Sequence, residues 1–178
     1  MIGNRTLAAV DAGRILKVNH AGEHGAVNIY AGQIAMARLR ARNLLPELTR
    51  FKADEERHRS VFAKELKQRS LPRCRSYWLC GTGGYVLGIV TGMMGVQSIA
   101  IATVAVERVV LRHLHRQLLD IGTSDSAATT AISAILAEEQ HHHDHAADQI
   151  RHPGMLHRMV GAVISAATEA VIWVGMRI

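Results

Sequence analysis

The pattern Glu-x-x-His occurs in Asp54-Glu55-Glu56-Arg57-His58 and again in Glu138-Glu139-Gln140-His141-His142. Residues three apart share one face of a helix, so each pair can present a carboxylate and an imidazole to one point. A single pair decides nothing. Nine glutamates and 11 histidines in 178 residues give about 0.6 such pairs by chance. The spacing to two further glutamates carries the argument. Glu23 precedes Glu55 by 32 residues, Glu107 precedes Glu139 by the same 32, and the two sets lie 84 residues apart. Antiparallel helices joined by a short turn bring residues equally far from the turn to one level. The recurring offset is therefore what a duplicated helical hairpin leaves behind, and it selects Glu139 and His142 over the overlapping Glu138 and His141.

The helical periodicity agrees. Ile15, Val18, Ala26, Val27, Tyr30, Ile34 and Ala37 form a stripe that includes Glu23, predicting a helix over about 14–42. Asn43 to Pro46 reads as a turn, and the next helix runs to about Arg69 with Phe51, Glu55, His58 and Phe62 on one side. A helix carrying Glu107 ends near Gly122. Another runs from the capping residues at 123–126 to about His152, and a fifth covers Met155 to Met176. No strand or hairpin signal competes, and the length suits one all-α domain over 1–178.

Four carboxylates and two imidazoles are hard and borderline ligands that suit a pair of ferrous ions, and no cysteine is placed to favour zinc. The predicted ligands are Glu23, Glu55, His58, Glu107, Glu139 and His142. Glu55 and Glu139 are expected to bridge, with Glu23 and Glu107 terminal, leaving positions open to dioxygen. A ligating imidazole needs an acceptor for its other nitrogen. Asp54 and Glu138 each precede a pattern glutamate, so Asp54 is assigned to His142 and Glu138 to His58. His113 is placed with them around the site.

The formal charge of +6 and pI near 9.9 suit an anionic surface. Aromatics are only 4% and no nucleic-acid motif is present, which disfavours nucleic acid. Cys74 and Cys80 form neither a CxxC nor a disulfide framework, consistent with a reducing compartment. The N-terminal stretch lacks an apolar signal core, so the expectation is an unprocessed cytoplasmic bacterial protein. From Trp78 to Val106 no residue is charged, and this run of 29 holds six glycines. With Gly92 to Val106 assigned to the Glu107 helix, Trp78 to Thr91 remains. That is about 21 Å of helix, short of a bilayer core of roughly 30 Å. The segment is expected to lie at a membrane interface or guide a substrate, with Lys64, Lys67, Arg69, Arg73 and Arg75 meeting anionic headgroups. The fifth helix, with Trp173, is expected to cover the bundle or join this surface.

The segments VNHAGEHGAVNIYAGQ (Val18 to Gln33), EERH, TVAVE (Thr103 to Glu107) and EEQHHHD resemble the demethoxyubiquinone hydroxylase family of ubiquinone biosynthesis, in register from about Arg14 to the C-terminus. The resemblance implies a ferritin-like four-helix bundle of duplicated hairpins with additional apolar interfacial and C-terminal helices. It implies a di-iron monooxygenase, peripheral on the cytoplasmic face of the inner membrane, that hydroxylates the ring of a polyprenyl benzoquinone with O2 and an external reductant, NADH. The six ligands it implies are those selected by spacing. Implied partners are the membrane quinone, a lipid surface, other ubiquinone-biosynthesis proteins and a possible second copy of the chain.

The chain departs from the family at His24, where an aromatic is frequent, at Arg108, where a second acid is frequent, and at Leu114, where a tyrosine is common after the histidine matching His113. With that tyrosine absent, Tyr30 is the phenol left on the ligand faces. Trp78, Tyr85, Met93, Met94 and Leu114 are read as substrate or membrane contacts. Three other readings stay open: iron storage or peroxide reduction in a soluble shell, a non-catalytic quinone-binding subunit, and a tRNA-hydroxylating di-iron enzyme. A 24-subunit particle would favour the first, and lipid binding without stoichiometric iron the second.

Overall fold

In a computed structural model the backbone is described from Ile2 to Ile178 and side chains from Ala12 onward. Six α-helices make up the described residues, with no strand among them. They are α1 (Ile2–Arg40), α2 (Leu45–Gln68), α3 (Tyr77–Met94), α4 (Val96–Ile121), α5 (Ser126–Asp148) and α6 (Met155–Gly175). A short 3-10 turn, Arg42–Leu44, joins α1 to α2, and Pro46 sits in the first turn of α2, where its missing N–H is not needed. Asp125 caps α5 by accepting from the Ala128 N–H at 3.0 Å. Arg69 donates to Asp125 at 2.8 Å and also pairs with Glu65. This corrects its expected role: Arg69 fastens the end of α2 to the start of α5 and is not a free headgroup contact.

Helices α1, α2, α4 and α5 form the bundle. Its core includes Leu16, Phe62, Leu114, Ile132 and Ile135 at one end and Tyr30, Ala37, Leu48 and Phe51 at the other. The Asn19–Gln117 amide pair and the packing of Ile29 against Ala102 and Val106 show that α1 and α4 run antiparallel. The 84-residue repeat extends to a third helix in each half. α3 lies parallel beside α1, with Cys80 against Gly25 and Met36 against Gly92. α6 lies parallel beside α4, with Gly161 beside Ile101 and Ser165 donating to the Ala105 carbonyl.

The uncharged run is therefore two helices. The break falls at Gly95, whose φ of 102° favours glycine, and not at Gly92. Gly92 belongs to a row with Gly81, Gly84 and Gly88 that brings α3 into backbone contact with α1. A Cβ at Gly84 or Gly88 would strike the carbonyl oxygens of Gly25 or Ile29, and one at Gly32 would stand 2.5 Å from the Tyr85 carbonyl. With glycines along most of the inner face, beside buried Tyr77 and Thr91, many apolar side chains of α3 point outward. Trp78, Leu79, Tyr85, Val86, Val90 and Met93 are all exposed. α6 likewise exposes Met155, Leu156, Met159, Val163, Trp173 and Val174.

Replacing Gly88 with Leu will destabilise the protein by about 3 kcal/mol or more, because the α1 backbone cannot yield. Gly83, whose Cβ would meet nothing within 4 Å, will accept Ala with stability unchanged or slightly raised. Thermal unfolding of both variants checks this pair.

Candidate metal centre

Six side chains converge at mid-bundle, each buried: Glu23 from α1, Glu55 and His58 from α2, Glu107 from α4, and Glu139 and His142 from α5. They make two groups, Glu23-Glu55-His58-Glu139 and Glu55-Glu107-Glu139-His142. Within each group one ligand atom per residue lies within 4.8 Å of the others. Glu55 and Glu139 belong to both. That sharing is the arrangement two ions bridged by two carboxylates would need.

The donor atoms face one another without bonding. His58 Nδ1 stands 2.8 Å from Glu139 Oε1 and 3.6 Å from Glu55 Oε2, and His142 Nδ1 stands 3.1 Å from Glu55 Oε1. Yet both Nδ1 atoms, Glu55 Oε1 and both Glu139 oxygens lack a properly oriented hydrogen-bond partner. Buried polar atoms left in this state normally cost free energy, so a cluster of them aimed at shared points fits cations held between them. The charges also balance, since four carboxylates neutralise two divalent ions.

The far nitrogens are occupied. His58 Nε2 meets Glu138 Oε2 at 2.6 Å, and His142 Nε2 meets Asp54 Oδ2 at 3.2 Å. Each contact crosses between hairpins and fixes its ring with Nδ1 inward. Arg57 joins the two outer carboxylates, donating to Asp54 at 3.0 Å and to Glu138 at 2.8 Å. Sequence spacing did not reveal this link, although Arg57 lies inside the first pattern.

Electrostatics follow from burial. Glu23 and Glu107 are pushed well above the ordinary carboxyl value by burial, and next by the carboxylates of Glu139 and Glu55. Burial acts on Glu55 in the same direction, but contacts with His142 and His58 outweigh it and hold Glu55 down at about 2. Burial alone would lower His58; Glu139 and Glu55 reverse this and raise it to about 12. Without metal, burial therefore favours the protonated form of Glu23 and Glu107.

An apolar cavity of about 400 Å³ opens between α3 and α6 and ends on the carboxylates. Glu23, Glu55, Glu107 and Glu139 line its floor, while His58 and His142 are not among its lining residues. The imidazoles thus lie behind the site and the carboxylates face the cavity. Leu114 lines it, as does His113, whose Nε2 lies 2.7 Å from Glu169 Oε2. Asn19 lines it too, held by reciprocal bonds of 2.8 and 3.1 Å with Gln117. The wall residues Ile29, Leu79, Leu87, Ile164 and Val171 had no signal in the sequence beyond apolarity.

Other expected residues lie elsewhere. Tyr30 is buried behind His142, edge-on to it and to Phe51, and does not line the cavity. Trp78, Tyr85, Met93 and Met94 face outward on α3. His24 stacks on Tyr77 with ring centroids 4.0 Å apart and planes 1° apart.

The sequence profile described as Ubiquinone biosynthesis protein COQ7 matches residues 11–175. The chain belongs to the COQ7 family. It is 29% identical over 170 residues to the NADPH-dependent 3-demethoxyubiquinone 3-hydroxylase, mitochondrial, of Dictyostelium discoideum, covering 93% of this chain and 76% of that protein. To the 3-demethoxyubiquinol 3-hydroxylase of Rhodospirillum rubrum it is 29% identical over 165 residues, 93% of this chain and 77% of the relative. The human NADPH-dependent 3-demethoxyubiquinone 3-hydroxylase, mitochondrial, is 27% identical over 181 residues, covering 99% and 82%. The two mitochondrial relatives carry NADPH in their names, where NADH was the expected reductant.

The raised carboxyls set a pH dependence. Glu23 and Glu107 bind protons more tightly folded than unfolded, so their contribution to stability declines as pH rises above 4.5, and that of His58 declines above 6.5. Metal-free protein will therefore melt lower at pH 8 than at pH 5.5. Loading with a divalent metal will abolish most of that slope. Glu107→Gln will flatten the metal-free slope and reduce metal uptake, read by metal analysis.

Proposed function

We propose that this COQ7 family member is a di-iron monooxygenase that hydroxylates the ring of a demethoxylated polyprenyl quinone or quinol in ubiquinone biosynthesis. The observation that carries the reading is an apolar cavity that ends on four buried carboxylates. The printed names of the relatives supply the substrate class and reaction.

Glu23, Glu55 and His58 would hold one iron, and Glu107, Glu139 and His142 the other, with Glu55 and Glu139 shared between them. Bound iron supplies dioxygen activation and the redox change, one oxygen atom going to the ring and the other to water. The rest of the reaction falls to the chain. Leu79, Leu87, Ile164 and Val171 give the ring and the first prenyl units an apolar wall and keep water from the carboxylates. His113, oriented by Glu169, and Asn19, oriented by Gln117, are the polar groups on that wall that can meet the ring oxygens. Glu23 and Glu107 present oxygens at the cavity floor, beside the place where the ring would be held. Tyr30 lies outside the cavity lining, edge-on to His142, where burial and the carboxylates of Glu107 and Glu55 push its phenol pKa up.

Two electrons come from outside the chain, and a reduced nicotinamide nucleotide is the proposed donor. The exposed apolar faces of α3 and α6 flank the cavity mouth, so a quinone with a long tail can enter while the tail stays in lipid. The proposed location is accordingly peripheral, on the cytoplasmic face of a bacterial inner membrane, with other enzymes of the pathway as partners.

A quinone extract from a strain lacking this chain tests the reading. Accumulated demethoxyubiquinone, removed by the wild-type chain but not by Glu139→Ala, is expected; a normal quinone profile in the deletion strain would sink it.

A further inference from the structure

On the opposite flank of α6 from the cavity lies a second concavity of about 330 Å³. Its floor is apolar, built from Ile101, Val104 and Ala105 of α4 and Ile150 beyond α5. Its polar rim carries Arg108, His157 and Arg158. No carboxylate is among the residues lining it. The ion pairs nearby run elsewhere, from Arg112 to Glu169 and from His145 to Glu47. A cleft with two guanidiniums and an imidazole, and no internal counter-charge, selects an anion, and paired arginines suit phosphate.

The position of the cleft says which phosphate. Successive residues of α6 are about 100° apart around its axis, and three directions matter. An exposed strip comprises Leu156, Met159, Val163 and Trp173. Ile164, Ala167 and Val171 turn from that strip towards the cavity, while Arg158, Gly161, Ala162 and Ser165 turn the other way into the cleft. A molecule with an anionic head in the cleft and apolar chains on the strip would satisfy both surfaces at once. An inorganic anion would use only the first. The duplicated architecture repeats the theme at the other end. α3 and α6 run antiparallel, and exposed Arg73, 84 residues before His157, lies just ahead of α3. The shared apolar face thus has a basic group at each end.

We propose that this cleft binds the phosphate headgroup of an anionic phospholipid through Arg108, His157 and Arg158, with the acyl chains along the exposed strip of α6. The choice of lipid as the source of the phosphate rests on the membrane-facing role proposed above. Arg108 directly follows Glu107, and α6 forms a wall of the cavity, so the headgroup seats the molecule with its cavity mouth against the bilayer.

The test is flotation of the metal-loaded full chain with vesicles of phosphatidylcholine alone or with phosphatidylglycerol added, at one fixed salt concentration. Wild type is expected to prefer the anionic vesicles. R108Q/R158Q will lose about tenfold or more of that preference. It will keep its binding to neutral vesicles and its metal content. R50Q/K52Q removes the same charge from α2, remote from α6, and will retain the preference. Equal losses in both double variants would overturn the proposal in favour of net charge. Binding of inorganic phosphate that R108Q/R158Q abolishes, with vesicle binding indifferent to the same substitutions, would overturn it in favour of a free-anion site. An anionic preference in a protein that leaves the quinone profile unchanged supports the lipid site while the hydroxylase reading fails. Hydroxylation without any anionic preference does the reverse.

Discussion

Four buried carboxylates within reach of two imidazoles are the constraint on which the rest of this structure depends. Like charges about 4 Å apart repel by about 4 kcal/mol each even at an effective dielectric of 20, so the cluster is tolerable only if protons or cations neutralise it. The protein answers at two levels. Without metal, burial favours the protonated forms of Glu23 and Glu107, while contacts with His142 and His58 favour the ionised form of Glu55. Outside the cluster, Asp54, Glu138 and Arg57 form a hydrogen-bonded strap that fixes both imidazoles with the same nitrogen inward. The strap also joins α2 to α5, the helices that supply both Glu-x-x-His pairs.

Duplication explains how such a site acquires an entrance. Each half contributes a hairpin that carries three ligands and a third helix laid parallel to its first. The glycine row of α3 removes the side chains that would separate it from α1, so its apolar residues go outward and its edge lines the cavity. α6 reaches a similar place beside α4 with small residues such as Gly161 and Ser165 on the inner side. A carboxylate floor, an apolar shaft and an apolar outer face are thus consequences of one repeated unit, and they make the pocket suited to a ring carried on an insoluble tail.

The bundle and its six converging residues were legible because helical periodicity and equal offsets are properties of the sequence itself. Glu139 was separable from Glu138 only by the 32-residue rule, and the outer pairing of Asp54 and Glu138 followed from their place one residue before each pattern. What the sequence left obscure has physical causes. Six glycines in 29 residues look like helix breakers, yet in α3 most of them serve close packing, and only the positive φ of Gly95 marks the break. Arg69 reads like its basic neighbours until Asp125 arrives from 56 residues away. Tyr30 shares a helix stripe with Glu23, but seven residues of rise carry it past the site towards Phe51. The cavity walls come from four helices, and nothing local marks an apolar side chain as facing a void instead of a neighbour.

The geometry of α6 bears on how such a chain would meet a bilayer. By length and composition alone α6 can cross a membrane, and it is the one helix among the described residues that can. Its contacts argue for another placement. Ser165 donates to the Ala105 carbonyl, Ile164 is buried against Ala102 and Val106, and Glu169 pairs with both Arg112 and His113. A spanning α6 would strip these groups from α4, leave Glu169 unpaired in hydrocarbon at a cost of several kcal/mol, and remove one wall of the cavity. Lying along the surface, α6 keeps every one of those contacts and still offers its apolar strip to lipid. The same reasoning holds for α3, whose glycine row is already filled by α1. On the proposed peripheral placement, both helices would form a two-sided threshold, bundle on one side and lipid on the other, with the route to the carboxylates running between them.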